Sequence, residues 1–148
     1  MIEGHFLKPA GRHLLTIGRD LIQDQYAAIV ELVKNSYDAD ATRVDVKFFV
    51  NENKFTIIVE DDGHGMTKDT VINKWLVPST DDKLKRKKSP SGRNMQGRKG
   101  VGRYAASILG DSLLLETVDD AKEKTSIYIN WQAFETAKYL SDVEVLVE

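Results

Sequence analysis

The stretch Ala27-Ala-Ile-Val-Glu-Leu-Val-Lys-Asn-Ser-Tyr-Asp-Ala39 constrains the fold more than any other part of the chain. At about 100° per residue, Tyr26, Ile29, Val30, Leu32, Val33 and Tyr37 share one broad face. Asp24, Glu31, Asn35 and Asp38 stack along a line on the opposite side. The pattern predicts an amphipathic helix from about Asp20 to Ala39, apolar face inward. Its polar line is unusual: acids and one amide, only Lys34 near them, and small Ala27 and Ala28 between. On an arbitrary helix that is a solvated back. Two glycine-rich stretches, Asp61-Asp-Gly-His-Gly-Met-Thr67 and Gly97-Arg-Lys-Gly-Val-Gly-Arg103, change the reading, because a nucleotide site needs such turns opposite such a helix.

A chain of 148 residues is long enough for one domain with a real core. It contains no cysteine, so disulfides and thiolate metal sites are excluded, and its three histidines lack ligand spacing. The first twenty residues mix charged with apolar side chains and carry no signal peptide. No apolar run approaches membrane-spanning length, so the expected location is the cytoplasm, with no membrane partner. The net charge of −2 argues against a dedicated nucleic-acid binder. One segment is nevertheless basic: Lys83-Leu-Lys-Arg-Lys-Lys88, then Arg93, Arg98, Lys99 and Arg103.

Met1 to Arg19, punctuated by Pro9 and Gly11, reads as an entry arm. Val44 to Val50 alternates and pairs across Asn51-Glu-Asn53 with Phe55 to Glu60. Asp61 then stands at a strand end, where Gly63 and Gly65 let the backbone turn. Thr67 is placed to cap a short helix carrying Val71, Ile72, Trp75 and Leu76. Pro78 to Gly97 is polar and basic, with only Leu84 and Met95 to bury, so unaided it is expected to stay mobile. Gly100 to Leu109 reads as a helix ending at Gly110. Asp111–Val118 and Lys124–Trp131 form a second hairpin, and Val143–Glu148 alternates as a further strand. The order gives an α+β fold with one mixed, mostly antiparallel sheet and helices on one face.

Gly92 to Gly97 has Walker-A glycine spacing, but Arg98 stands where lysine is required and no Ser/Thr follows Lys99; the motif is rejected. Gly97, Gly100 and Gly102 before a helix still permit close backbone approach to an anion, with Arg98 and Lys99 adding charge. A carboxylate at Asp61 can accept the exocyclic amine of a purine.

Together, in this order, the motifs resemble the gyrase, heat-shock chaperone, histidine kinase and mismatch-repair ATPase superfamily, often called GHKL. The resemblance runs from about Gly11 to Trp131. Glu31, Asn35 and Asp38 match its N box; Asp61, Gly63, Gly65 and Met66 its first glycine box; Gly97, Gly100 and Gly102 its second. It implies a two-layer α/β sandwich binding ATP or ADP with Mg2+. Asn35 would hold the magnesium, Glu31 would orient and deprotonate the attacking water, and Asp61 would read the adenine amine. Asp38, Gly63, Gly65, Met66, Gly97, Arg98, Lys99, Gly100, Val101 and Gly102 would line the ATP site, with Ser79 to Arg98 as an ATP lid.

A carboxylate at position 31 marks hydrolysing members; histidine kinases usually carry an amide there. The chain therefore looks like an ATPase of the heat-shock-chaperone or microrchidia branch. The superfamily's final strand with its Gly-Thr pair is not recognisable before Glu148, and the downstream domain that supplies a γ-phosphate cation is absent. The sequence thus reads as one domain, 1–148, excised from the N-terminal part of a longer protein. Relatives often dimerise through this domain, and a nucleic-acid or protein client would act through the missing parts. The alternatives are a histidine-kinase-like phosphotransfer domain and a non-enzymatic nucleic-acid binder using the basic loop.

Overall fold

The computed structural model describes residues 3–78, 87–97 and 102–148. The architecture is α+β, as expected. Helix α1 (His13–Leu21) and helix α2 (Gln25–Asp38) precede a hairpin of β1 (Val44–Asn51) and β2 (Lys54–Asp61). A short helix α3 (Lys68–Thr70) continues as a wider π turn over Val71–Trp75. A 3-10 turn (Gly102–Ala105) leads into α4 (Ala106–Leu109). Then come β3 (Ser112–Val118), β4 (Lys124–Asn130), α5 (Trp131–Thr136), a 3-10 turn Leu140–Asp142, and β5 (Leu146–Val147).

Two local predictions are corrected near the N-terminus. Part of the supposed entry arm is helical, and the central helix is interrupted. Ile22 is extended, and Asp24 is the N-cap of α2, its carboxylate accepting from Ala27 N at 2.8 Å. Asp24 therefore caps the helix instead of belonging to its polar line. Gly18 of α1 allows close packing: a Cβ there would lie 2.8 Å from the Tyr104 carbonyl oxygen.

The apolar face of α2 is buried only in part: Ile29, Leu32 and Val33 are half-buried. Tyr26 and Val30 are 81% and 51% exposed, and Tyr37 is exposed as well. Buried instead are Ala28, Ser36 and Asp38. The small Ala27 and Ala28 let α2 approach Ala105, Ile108 and Leu109 closely, while Ser36 and Asp38 are buried because they hydrogen-bond.

Among the described residues the ladders are antiparallel throughout and fall into two sheets, β1–β2 and β3–β4–β5. The first hairpin runs from Val44↔Asp61 to Asn51↔Lys54, placing Asp61 at its end. Trp131 starts α5 instead of ending β4, with Asn130 capping through its side chain. Gly110 ends α4 in extended conformation, not the left-handed cap expected of it. The last strand is shorter than predicted, although Val143, Val145 and Val147 alternate inward onto the core.

That core joins Leu14 and Leu15 of α1, Val71, Tyr104, Ile127 and Ile129 of β4, and Trp131 and Phe134 of α5. Tyr104 meets the Trp131 ring edge-on at 6.5 Å, and Trp131 contacts Phe134 at 6.2 Å. Arg103 Nη1 donates to the Lys74 and Trp75 carbonyls at 2.6 and 2.7 Å, tying the 102–105 turn to the end of the π turn. Among the described residues no helix is long and apolar enough to cross a membrane.

Candidate active site

The helical spacing of Glu31, Asn35 and Asp38 carries through to the structure, and other elements converge on that line. Ser36 Oγ donates to Asp61 Oδ2 at 2.8 Å, joining α2 to the end of β2. Asp61 Oδ1 accepts the Gly63 N–H at 2.9 Å. One donor on each oxygen fixes the carboxylate plane, and lone pairs remain for a further donor. Ser36, which holds the Asp61 carboxylate, is not singled out by the sequence motifs. It directly follows Asn35, but only the packing of α2 against β2 reveals its burial.

The turn after Asp61 is held by protein on both sides. His64 N–H reaches the Ala39 carbonyl at 3.0 Å, and Met66 N–H reaches Thr117 Oγ1 at 2.9 Å. A Cβ on Gly63 would sit 2.7 Å from the Ala39 oxygen. At Gly65 the backbone has φ 67°, and a Cβ would collide with the Val118 carbonyl. Both glycines are thus required by the approach of α2 and β3. Met66 packs against the core.

Asp62 closes the other side of the turn, accepting Thr42 Oγ1 at 2.5 Å, Thr42 N at 2.7 Å and Arg43 N at 2.9 Å. These bonds, the Thr42 hydroxyl first, hold its carboxyl down at about 2.

Glu31 accepts Lys34 Nζ on Oε1 at 2.7 Å. Its Oε2 lies 2.9 Å from where a Cβ of Gly102 would be, so the start of the 102–105 turn rests on this carboxylate. Asp38 is buried, and its carboxylate accepts Gln96 N at 2.7 Å and Gly97 N at 3.0 Å. It grips the backbone at the start of the second glycine stretch. Arg98, Lys99, Gly100 and Val101 lie outside the described residues.

Within Pro78–Gly97, residues 87–97 are among the described residues. That part is fastened by polar contacts to the end of α2 instead of by apolar burial. Residues 79–86, with Lys83, Lys85 and Arg86 of the basic run and the first part of the expected lid Ser79–Arg98, lie outside the described residues. Arg93, assigned to the basic segment, stacks its guanidinium on the Tyr37 ring at 4.8 Å.

The family model for histidine kinase-, DNA gyrase B-, and HSP90-like ATPases matches residues 24–145. A protein named as a candidate type II restriction enzyme, HgiDII, from Herpetosiphon aurantiacus is 34% identical over 73 residues, 49% of this chain and 11% of that protein. The DNA mismatch repair protein MutL of Dictyoglomus turgidum (strain DSM 6724 / Z-1310) is 43% identical over 53 residues, 36% of this chain and 9% of that protein. The chain thus aligns with only a small part of the length of either relative.

Proposed function

The chain belongs to the family of histidine kinase-, DNA gyrase B-, and HSP90-like ATPases, and from that premise we propose a Mg-ATP-binding module that hydrolyses ATP slowly and drives conformational change in a larger protein. One observation carries this reading: the Ser36–Asp61 hydrogen bond puts the strand-end carboxylate beside the helix that bears Glu31 and Asn35.

In this reading Asp61, held by Ser36 and by Gly63 N–H, accepts the adenine amine. Guanine would present a carbonyl there and be repelled. Glu31 stands on the same helix as general base for water, and its ion pair with Lys34 limits its rotation. The donor chemistry suits magnesium: Asn35 carries a hard amide oxygen, the ligand type that this ion prefers. The metal would be held through Asn35 and nucleotide oxygens, and when bound it would offset charge on the phosphates. Gly97 and Gly102, with Arg98, Lys99, Gly100 and Val101, complete the phosphate side. Asp38, Gly63, Gly65 and Met66 shape the site.

Arg98 and Lys99 contact phosphate in the ground state in this reading, which aids binding without speeding chemistry. Turnover is therefore expected far below the ~1–10³ s⁻¹ of typical enzymes. Glu31 favours a hydrolysing branch of the heat-shock-chaperone or microrchidia kind over phosphotransfer to a protein side chain. For the client, the names of both relatives favour DNA, and the basic run 83–88 suits it. Homodimerisation and a cytoplasmic location complete the proposal.

Calorimetry with ATP, ADP and GTP, with and without Mg2+, tests the binding. ATP and ADP are expected to bind and GTP not; equal affinity for GTP removes the assignment of Asp61. In single-turnover assays Glu31→Ala is expected to keep ATP affinity and lose hydrolysis. Hydrolysis as fast as the parent's would return the phosphotransfer reading.

A further inference from the structure

Two residues beyond α2, Asp40 adopts the left-handed conformation with φ 62°. Its carboxylate accepts Ser89 Oγ at 2.5 Å, Ser91 N–H at 3.0 Å, and the Ser91 hydroxyl. Arg93 closes the same junction from the other side, donating from Nη1 to the Ala41 carbonyl at 2.7 Å and to the Tyr37 carbonyl at 3.3 Å. Its Nε lies 4.0 Å from Asp40 Oδ1. The fastened piece is itself a compact turn: Ser89 N–H bonds the Arg93 carbonyl at 2.8 Å, Arg93 N–H bonds Ser89 Oγ at 3.0 Å, and Lys88 bridges Asn94. Ser89 is buried in it. Three residues further on, Gln96 and Gly97 give their N–H groups to Asp38.

We propose that Asp40 is a positioning residue for the phosphate end of the nucleotide site: with Ser89, Ser91 and Arg93 it fastens the 88–94 turn to the end of α2, and so keeps the Gln96 and Gly97 amides on Asp38 where the second glycine stretch begins. The proposal rests on the nucleotide reading above. The physical argument concerns what holds a polar segment in place. Residues 88–94 contain no large apolar side chain, so charge-assisted hydrogen bonds must offset their ordering entropy. Asp38 alone fixes two amides but not the direction from which the chain arrives. The clasp at Asp40 fixes that approach, and loop closure over the few residues from Arg93 to Gln96 makes the two anchors act together. Asp40 acts through Gly97, so its loss should be felt by the phosphates and not by adenine.

The test compares the parent with Asp40→Asn and with Ser89→Ala/Ser91→Ala. Asparagine is among the residues most tolerant of the left-handed region, so Asp40→Asn keeps the backbone and removes the charge; the serine pair removes the two hydroxyl donors and leaves Asp40 in place. Two quantities are read: the ratio of ATP to AMP affinity, and hydrogen exchange at the Gln96 and Gly97 amides. The expected result in both variants is an ATP affinity about tenfold weaker with AMP affinity unchanged, together with faster exchange at the two amides. A cap that only stabilised α2 would not change the ratio. An unchanged ratio, or unchanged exchange at Gln96 and Gly97, overturns the proposal. Failure of the parent itself to bind ATP overturns the nucleotide reading and this role with it, whereas parent binding with variants at the parent's ratio overturns this role alone.

Discussion

The core around Trp131 and the seam along the end of α2 are held by opposite physics. The core is apolar and closely packed: Leu15, Val71, Tyr104, Ile127, Trp131 and Phe134 are all buried. The seam is a row of carboxylates, Asp38, Asp40, Asp61 and Asp62, each accepting hydrogen bonds from backbone amides or hydroxyls of another segment. Apolar burial is non-directional and indifferent to pH. Carboxylate anchors are directional and depend on charge. A nucleotide-binding domain gains from that division, because segments that must respond to a ligand are best drawn from the less stable part of a structure. Asp38 and Asp61, two of the candidate site residues, belong to the seam.

The contrast can be broken most severely at Trp131. Trp131→Ala should destabilise the whole fold by about 3–5 kcal/mol, read as a lower urea midpoint, with core and seam lost together. A loss confined to the seam would contradict the division. Next in size is Gly65→Ala, which forces a side chain into the left-handed region and against the Val118 carbonyl. It should cost about 1–3 kcal/mol, and nucleotide affinity should fall with it. Full stability with weaker binding would mean that the turn yields without strain.

Acid titration sharpens the comparison without mutation. The Asp40 carboxyl is lowered to about 2, chiefly by the Ser89 hydroxyl and then by Ser91, and Asp62 is lowered to about 2 by Thr42 and Arg43. Folded pKa values below the ordinary 3.8 mean that both groups bind fewer protons folded than unfolded. Their stabilisation is complete above about pH 4 and is lost as pH falls through about 2. Amide exchange at Thr42, Arg43 and Ser91 should therefore accelerate in that window before exchange in β4 does. Simultaneous loss would show that the seam has no separate stability. The smallest effect is expected at Val50, 77% exposed on β1. Val50→Thr should change stability by no more than about 0.5 kcal/mol, although the sequence pattern gives Val50 the same inward face as Val46.

Much of the fold was legible because its signals are local. The two hairpins follow from alternation and turn residues, Thr67 caps α3 as its sequence context suggests, and Asp61 falls at a strand end. The motif residues Glu31, Asn35 and Asp38 keep their helical line. Boundaries failed where one residue has two uses: Asp24 fits a helix's polar stripe but serves better as a cap, and Trp131 continues an alternating pattern but opens α5.

Sequence by itself determined the period of each segment and the residue types that can do the chemistry, because backbone dihedral preferences and side-chain chemistry act over a few neighbours. Only the tertiary structure decided which face of α2 is inside. Hydrophobicity pointed to Tyr26, Ile29, Val30, Leu32, Val33 and Tyr37, of which Tyr26, Val30 and Tyr37 are exposed; burial depends on what the opposite surface offers, and close approach by Ala105 favours Ala28 while hydrogen-bond partners admit Ser36 and Asp38. It also decided that Gly63 and Gly65 make room for the Ala39 and Val118 carbonyls, and that a polar loop is fastened by Asp38 and Asp40. Those outcomes depend on pairs of groups tens of residues apart, whose meeting no local pattern encodes.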